Sequence, residues 1–236
     1  MGLWRLDGSA NKRLWRGKEV GMNQEVLLAQ VRAHVRERLS ADSSGHDWWH
    51  IDRVVRLARR LAEEEGADVF LCELAALTHD LADWKINPDE ARALADLGAW
   101  LAAHGADEAT IAAVLEIITT MSFKGGGGAP MRTLEGQIVQ DADRLDAIGA
   151  IGIARAFAYG GARGLLLHDP EETPREQMTA AAYRSRQAAT ITHFHEKLLK
   201  LKDRMNTATA GRLAAQRHAV LEQFLEEFQS EWEGER

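Results

Sequence analysis

Apolar residues recur every three or four positions along almost the whole chain, and only four prolines interrupt 236 residues. No stretch alternates apolar and polar side chains for long enough to make a strand. That periodicity restricts the chain to an all-α fold, in which each helix buries one stripe against its neighbours. The length suits one full-sized domain.

The pattern resolves into successive helices. Residues 24–40 place Val26, Leu27, Val31 and Val35 on one face, and Ala41–Gly45 forms a loop. A second helix runs from Asp47 to Glu65 with His50, Val54, Leu57 and Leu61 on one side and Gly66 as its stop. A third spans Val69–Ala82. Asn87-Pro88-Asp89-Glu90 reads as a helix start, with Asn87 as cap and Pro88 in the first helical position, and that helix ends at His104-Gly105. Further helices are expected over Asp107–Met121, Thr133–Ala147, Ile148–Tyr159, Arg175–Leu201 and Thr207–Trp232. Glycines 125–128 and the pair Gly160-Gly161 act as breaks, as do Asp169-Pro170 and Thr173-Pro174. Residues 1–21 lack periodicity and are expected to be a flexible extension. Leu213, Val220, Leu221, Phe224, Leu225 and Phe228 make the last helix a core-closing element that also suits a dimer contact. Trp48, Trp49, Trp84 and Trp100 are expected in the core.

Composition narrows the function. With 45% apolar and 28% charged residues the chain is an ordinary soluble globule. Its 36 acidic residues against 29 basic give a net charge of −7, which opposes coating of nucleic acid but leaves room for a single nucleotide. Cys72 is the only cysteine, so an intrachain disulfide is excluded. No segment reaches the length of an apolar membrane helix, and the longest, Ala147–Ala158, is broken by Arg155. The N-terminal residues lack the apolar block of a secretory signal, and the expected location is the cytoplasm.

Four residues combine the nitrogen and oxygen donors that suit a divalent ion: His50, His79, Asp80 and Asp143. Each alone has a plainer explanation. A histidine on an apolar helix face is ordinarily a satisfied core residue, and His79-Asp80 alone reads as a polar pair at a helix end. Asp141, Asp143 and Asp146 crowd an otherwise apolar helix, a costly arrangement unless a cation or Arg144 compensates.

Taken together, HDWWHIDRV (46–54), LTHDLADWK (77–85) and QDADRLDAIGAIGIARAFAYGG (140–161) resemble the HD-domain metal-dependent phosphohydrolase superfamily. Further segments, IITTMSFKGG (117–126), FAYGGARG (157–164) and THFHEKLLKLKDRMNT (192–207), are similar to its bacterial nucleotide pyrophosphohydrolase subgroup. The resemblance implies a single-domain helical bundle over residues 22–232, with His50, His79, Asp80 and Asp143 as metal ligands. One divalent ion is expected (manganese, magnesium, iron, cobalt or nickel), because Thr119 and Thr120 stand where some two-metal relatives carry histidines. Asp80 would orient or deprotonate the attacking water, and Lys124 would contact phosphate. Arg53, His46, Lys85 and Tyr159 would border the substrate. Asp146 and Arg144 would support the ligands, with pairing to Asp143 or Asp146 as Arg53's alternative role. The implied reaction is hydrolysis of (deoxy)nucleoside triphosphates to monophosphate and pyrophosphate. The alternatives are a nucleoside monophosphate phosphatase, another small phosphomonoesterase, or a non-catalytic nucleotide sensor. A small nucleotide is the expected partner, with no nucleic acid or membrane, on a monomer or homodimer.

Overall fold

A computed structural model of the chain describes residues 23–39, 47–82, 89–121, 130–175 and 188–236. The expected extension over residues 1–21 lies outside these, as do His46, Trp84, Lys85, Asn87 and Lys124. The described residues form an all-helical, single-domain bundle: α1 (Gln24–Leu39), α2 (Trp48–Glu65), α3 (Val69–Thr78), α4 (Glu90–Ala103), α5 (Glu108–Met121), α6 (Leu134–Asp146), α7 (Gly149–Ala162), α8 (Thr190–Glu196) and α9 (Ala208–Trp232).

Side chains of the flanking residues set most of these ends. Asp47, Asp68, Asp89, Thr133 and Thr207 each accept a backbone N–H in the first turn of the helix that follows. Gly66 closes α2 in the left-handed conformation with φ 76°, and its N–H returns to the Ala62 carbonyl. The cap of α4 is Asp89 rather than Asn87, so the helix starts two residues later than Pro88 suggests.

The middle of the bundle is α2, packed on α3 and α6, with α1 and α5 against α3 and with α7 and α9 beyond α6. Leu27, Val31 and Val35 are buried on α1 as expected, whereas Val26 is 50% exposed and off the stripe. Each large apolar side chain fully withdrawn from water contributes about 1.5–3 kcal/mol, so this core outweighs any surface contact.

Three further expectations are corrected. The helix placed over Arg175–Leu201 is, among its described residues, a seven-residue helix followed by two 3-10 turns at Leu198–Lys200 and Lys202–Arg204. Trp49 is 57% exposed, while Trp48 is buried and Trp100 half-buried, stacked between the rings of His34 and His104. On α9, Leu221 is buried and Phe224 packs on Phe157 and Phe194, but Val220 faces solvent.

Candidate metal centre

Three helices deliver the ligands. Asp47 caps α2 by accepting the His50 N–H at 2.9 Å, which seats His50 in the first turn with its side chain fully buried. Adjacent side chains within a helix diverge by about 100°. α3 ends at Thr78, earlier than the expected Ala82, and His79 and Asp80 occupy the turn that follows, His79 still in the right-handed helical conformation. Asp143 arrives from α6.

The donor atoms converge. His50 Nε2 lies 3.5 Å from both Asp80 Oδ2 and Asp143 Oδ1. His79 Nε2 lies 3.4 Å from Asp80 Oδ1 and 3.9 Å from Asp143 Oδ1. Groups bound about 2.1 Å from one ion stand roughly 3.0–3.4 Å apart, so these separations are within about half an ångström of a coordination sphere. His50, His79 and Asp80 are buried, whereas the Asp143 side chain is 40% exposed and marks the open side of the cluster.

The donor chemistry fits a cation. His50 Nδ1 is 2.8 Å from Asp146 Oδ2, and His79 Nδ1 is 2.8 Å from the Ala76 carbonyl oxygen. A carboxylate and a carbonyl only accept, so each imidazole donates from Nδ1 and turns the lone pair of Nε2 toward the two carboxylates. Burial, reinforced by the positive charge of Arg155, lowers the His50 pKa and keeps the ring neutral, the form that ligates a metal.

Asp146 anchors this arrangement. Besides His50 it accepts Arg53 Nε at 2.7 Å, Arg53 Nη2 at 3.0 Å and Arg155 Nη1 at 3.0 Å. Burial would raise its pKa, but the hydrogen bonds from His50 and Arg53 and the charge of Arg155 outweigh it and hold the carboxyl well below its ordinary range. Arg53 therefore takes the pairing role with Asp146. Arg144 interacts by charge with Asp141 and Asp143. It donates to the Arg204 carbonyl, joining α6 to the turn before α9, and leaves Asp146 to the other two arginines. Asp141 faces away from the cluster and accepts the backbone N–H groups of Asn206 and Thr207, each at 2.9 Å, together with their side chains. Tyr159 is half-buried on α7, under the guanidinium of Arg163. Thr119 and Thr120 bond back to carbonyls of their own helix, and the described residues hold one metal-type cluster.

Arg155 was not among the expected site residues. Its signal was its position: it is the one charged residue between Ala147 and Ala158. A buried-looking cation in an apolar run needs an anion, and Asp146 is that anion.

The pattern of an HD domain matches residues 48–148, the stretch that carries all four candidate ligands. The Bacillus subtilis protein YpgQ is 43% identical over 216 residues, which cover 90% of this chain and 97% of YpgQ. The chain belongs to the HD-domain family. Solved HD-family relatives share its fold. A Lactobacillus plantarum protein superposes with a TM-score of 0.82 at 45% identity, covering 90% of this chain and all of that one. An HD-superfamily hydrolase of Bacillus thuringiensis gives 0.70 at 43% identity, covering 89% and 98%. YpgQ has been crystallised in complex with ADP, and that structure gives a TM-score of 0.70 at 39% identity, covering 86% and 97%. As in the sequence, no helix among the described residues of this HD protein is long and apolar enough to cross a membrane.

Proposed function

We propose that this HD protein is a metal-dependent phosphohydrolase that cleaves (deoxy)nucleoside triphosphates to monophosphate and pyrophosphate. The observation that carries the reading is the convergence of two Nε2 lone pairs and two carboxylates from three helices, with both imidazole tautomers set by Nδ1 acceptors. The ADP complex of the YpgQ relative supports a nucleotide rather than another phosphate ester.

His50, His79, Asp80 and Asp143 would hold one divalent ion, which when bound supplies polarisation of a phosphoryl oxygen and activation of water. Asp80, buried beside both imidazoles, is the carboxylate we assign to orient the attacking water and receive its proton. Asp146 keeps His50 oriented while Arg53 and Arg155 keep Asp146 ionised. Phosphoryl transfer needs mainly such positioning and charge stabilisation. From the sequence we further assign Lys124 to a phosphate, and His46 and Lys85 to the leaving group.

The test is incubation of purified protein with manganese and dATP, with separation of the products. Pyrophosphate and dAMP are expected; orthophosphate without pyrophosphate would replace this reading with a phosphomonoesterase. His79→Ala and Asp80→Ala, checked for retained helicity by circular dichroism, should lose both metal uptake and hydrolysis. Full activity in either would remove the cluster from the reaction.

A further inference from the structure

The metal cluster accounts for the phosphate end of a nucleotide and leaves its base without a surface. One helix continues from the cluster in a suitable way. Arg155 on α7 reaches Asp146, which holds His50, so this part of α7 stands beside the ligands. Tyr159 follows Arg155 by four residues on the same side of α7, and Arg163, four further on, caps the helix end. At 1.5 Å per residue they lie about 6 and 12 Å further along the axis.

The two outer residues form a layered pair. The Arg163 guanidinium carbon sits 5.3 Å from the centre of the Tyr159 ring. Tyr159 is half-buried and Arg163 is exposed, so an exposed cation lies over a half-buried ring. Aromatic rings and guanidinium planes both serve as platforms on which nucleobases stack.

We propose that Tyr159 and Arg163 form the platform on which the nucleobase of the substrate stacks, with the phosphates directed back past Arg155 to the metal cluster. This rests on the nucleotide reading above. The 5.3 Å separation leaves no gap for a third flat group, so the base lies on the outer face of Arg163 with Tyr159 behind it. Recognition through stacking tolerates any base, because every base has a π face.

The experiment compares wild type with Arg163→Ala, Tyr159→Ala and Tyr159→Phe, all with manganese. Substrates are dATP and inorganic tripolyphosphate, which has no base. The expected result is a 5- to 100-fold fall in the ratio of kcat/KM for dATP over tripolyphosphate in both alanine variants, carried mainly by KM. Tyr159→Phe, which keeps the ring, should restore most of the ratio. Arg163 is exposed, so its variant tests the idea without disturbing the core. An unchanged ratio in Arg163→Ala and Tyr159→Ala overturns the platform. If the wild type cleaves no nucleotide, the hydrolysis reading fails on its own, and calorimetric titration with ADP then decides the platform. At least fivefold weaker ADP binding in the alanine variants upholds it, and equal binding overturns it.

Discussion

Replacing Asp146 by asparagine isolates the residue on which the metal centre leans. The wild-type carboxylate presents two oxygens that only accept, and four donor atoms converge on them: His50 Nδ1, Arg53 Nε, Arg53 Nη2 and Arg155 Nη1, at 2.7–3.0 Å. An amide of the same shape has one accepting oxygen and one donating nitrogen. If the oxygen faces His50 and Arg155, the amide N–H₂ opposes Arg53 Nε. If it faces Arg53 Nε, the N–H₂ opposes His50 Nδ1 and drives the imidazole proton to Nε2, where a metal needs a lone pair. Either orientation also leaves two guanidinium charges beside a neutral group.

Breaking a buried pair costs about 3–5 kcal/mol. The Arg53 and Arg155 side chains retain 27% and 18% exposure, so water recovers part of that. A loss of about 3 kcal/mol remains, or roughly 6–12 °C in Tm for a chain of this length. Loss of a carboxylate behind a ligating histidine typically weakens metal binding by about 10- to 100-fold. Thermal unfolding in chelator reads the first effect without metal, and calorimetric titration with manganese reads the second. The sign of the pH dependence follows from the depressed carboxyl pKa. The contribution is complete above the unfolded value near about 3.9 and is lost as pH falls through the folded value. The difference in Tm should therefore hold steady from about pH 5 to 8 and shrink below about pH 4. An Asp146→Asn protein that melts within about 2 °C of wild type and binds manganese equally well would refute the reasoning.

Burial pushes the Cys72 thiol up to about 12, and its side chain is fully enclosed; Ellman's reagent should label it only after denaturation, and fast native labelling would contradict the packing. A Cβ added at Gly152 would clash with the Ala147 carbonyl, whereas one at Gly161 meets nothing within 4 Å. Gly152→Ala should thus cost about 1–3 kcal/mol in a denaturant titration, while Gly161→Ala is neutral or stabilising by up to about 1 kcal/mol. Equal midpoints for the two would count against the tight α6–α7 turn. Asp141→Asn should lower stability by about 1–3 kcal/mol through its bonds to Asn206 and Thr207. It should also leave manganese stoichiometry at wild-type level, and a lost equivalent would return Asp141 to the metal centre.

The three aspartates of α6 mark the limit of what the sequence makes legible. Helical periodicity located α6 to within a residue at each end, because the stripe that buries Ile138, Val139, Ala142 and Leu145 is a local pattern. The same pattern says that Asp143 and Asp146 share a face, and family likeness singled out Asp143. What each carboxylate meets there depends on partners that arrive from elsewhere. Asp141 receives the start of α9, 65 residues away in sequence, and Asp146 receives Arg53 from 93 residues before it. No propensity encodes such pairings, nor the bond by which Arg144, adjacent in sequence to Asp143, reaches the Arg204 carbonyl. Arg155 is the instructive case. It lies only nine residues from Asp146, yet it can reach back because α6 ends at Asp146 and the chain turns through Gly149 at φ 76° before α7 begins. In one continuous helix, residues nine apart stand more than two turns and about 13 Å from one another. The turn at Gly149 is therefore part of the candidate site: it folds α7 back on α6, brings a second guanidinium to Asp146, and through Asp146 sets the imidazole of His50.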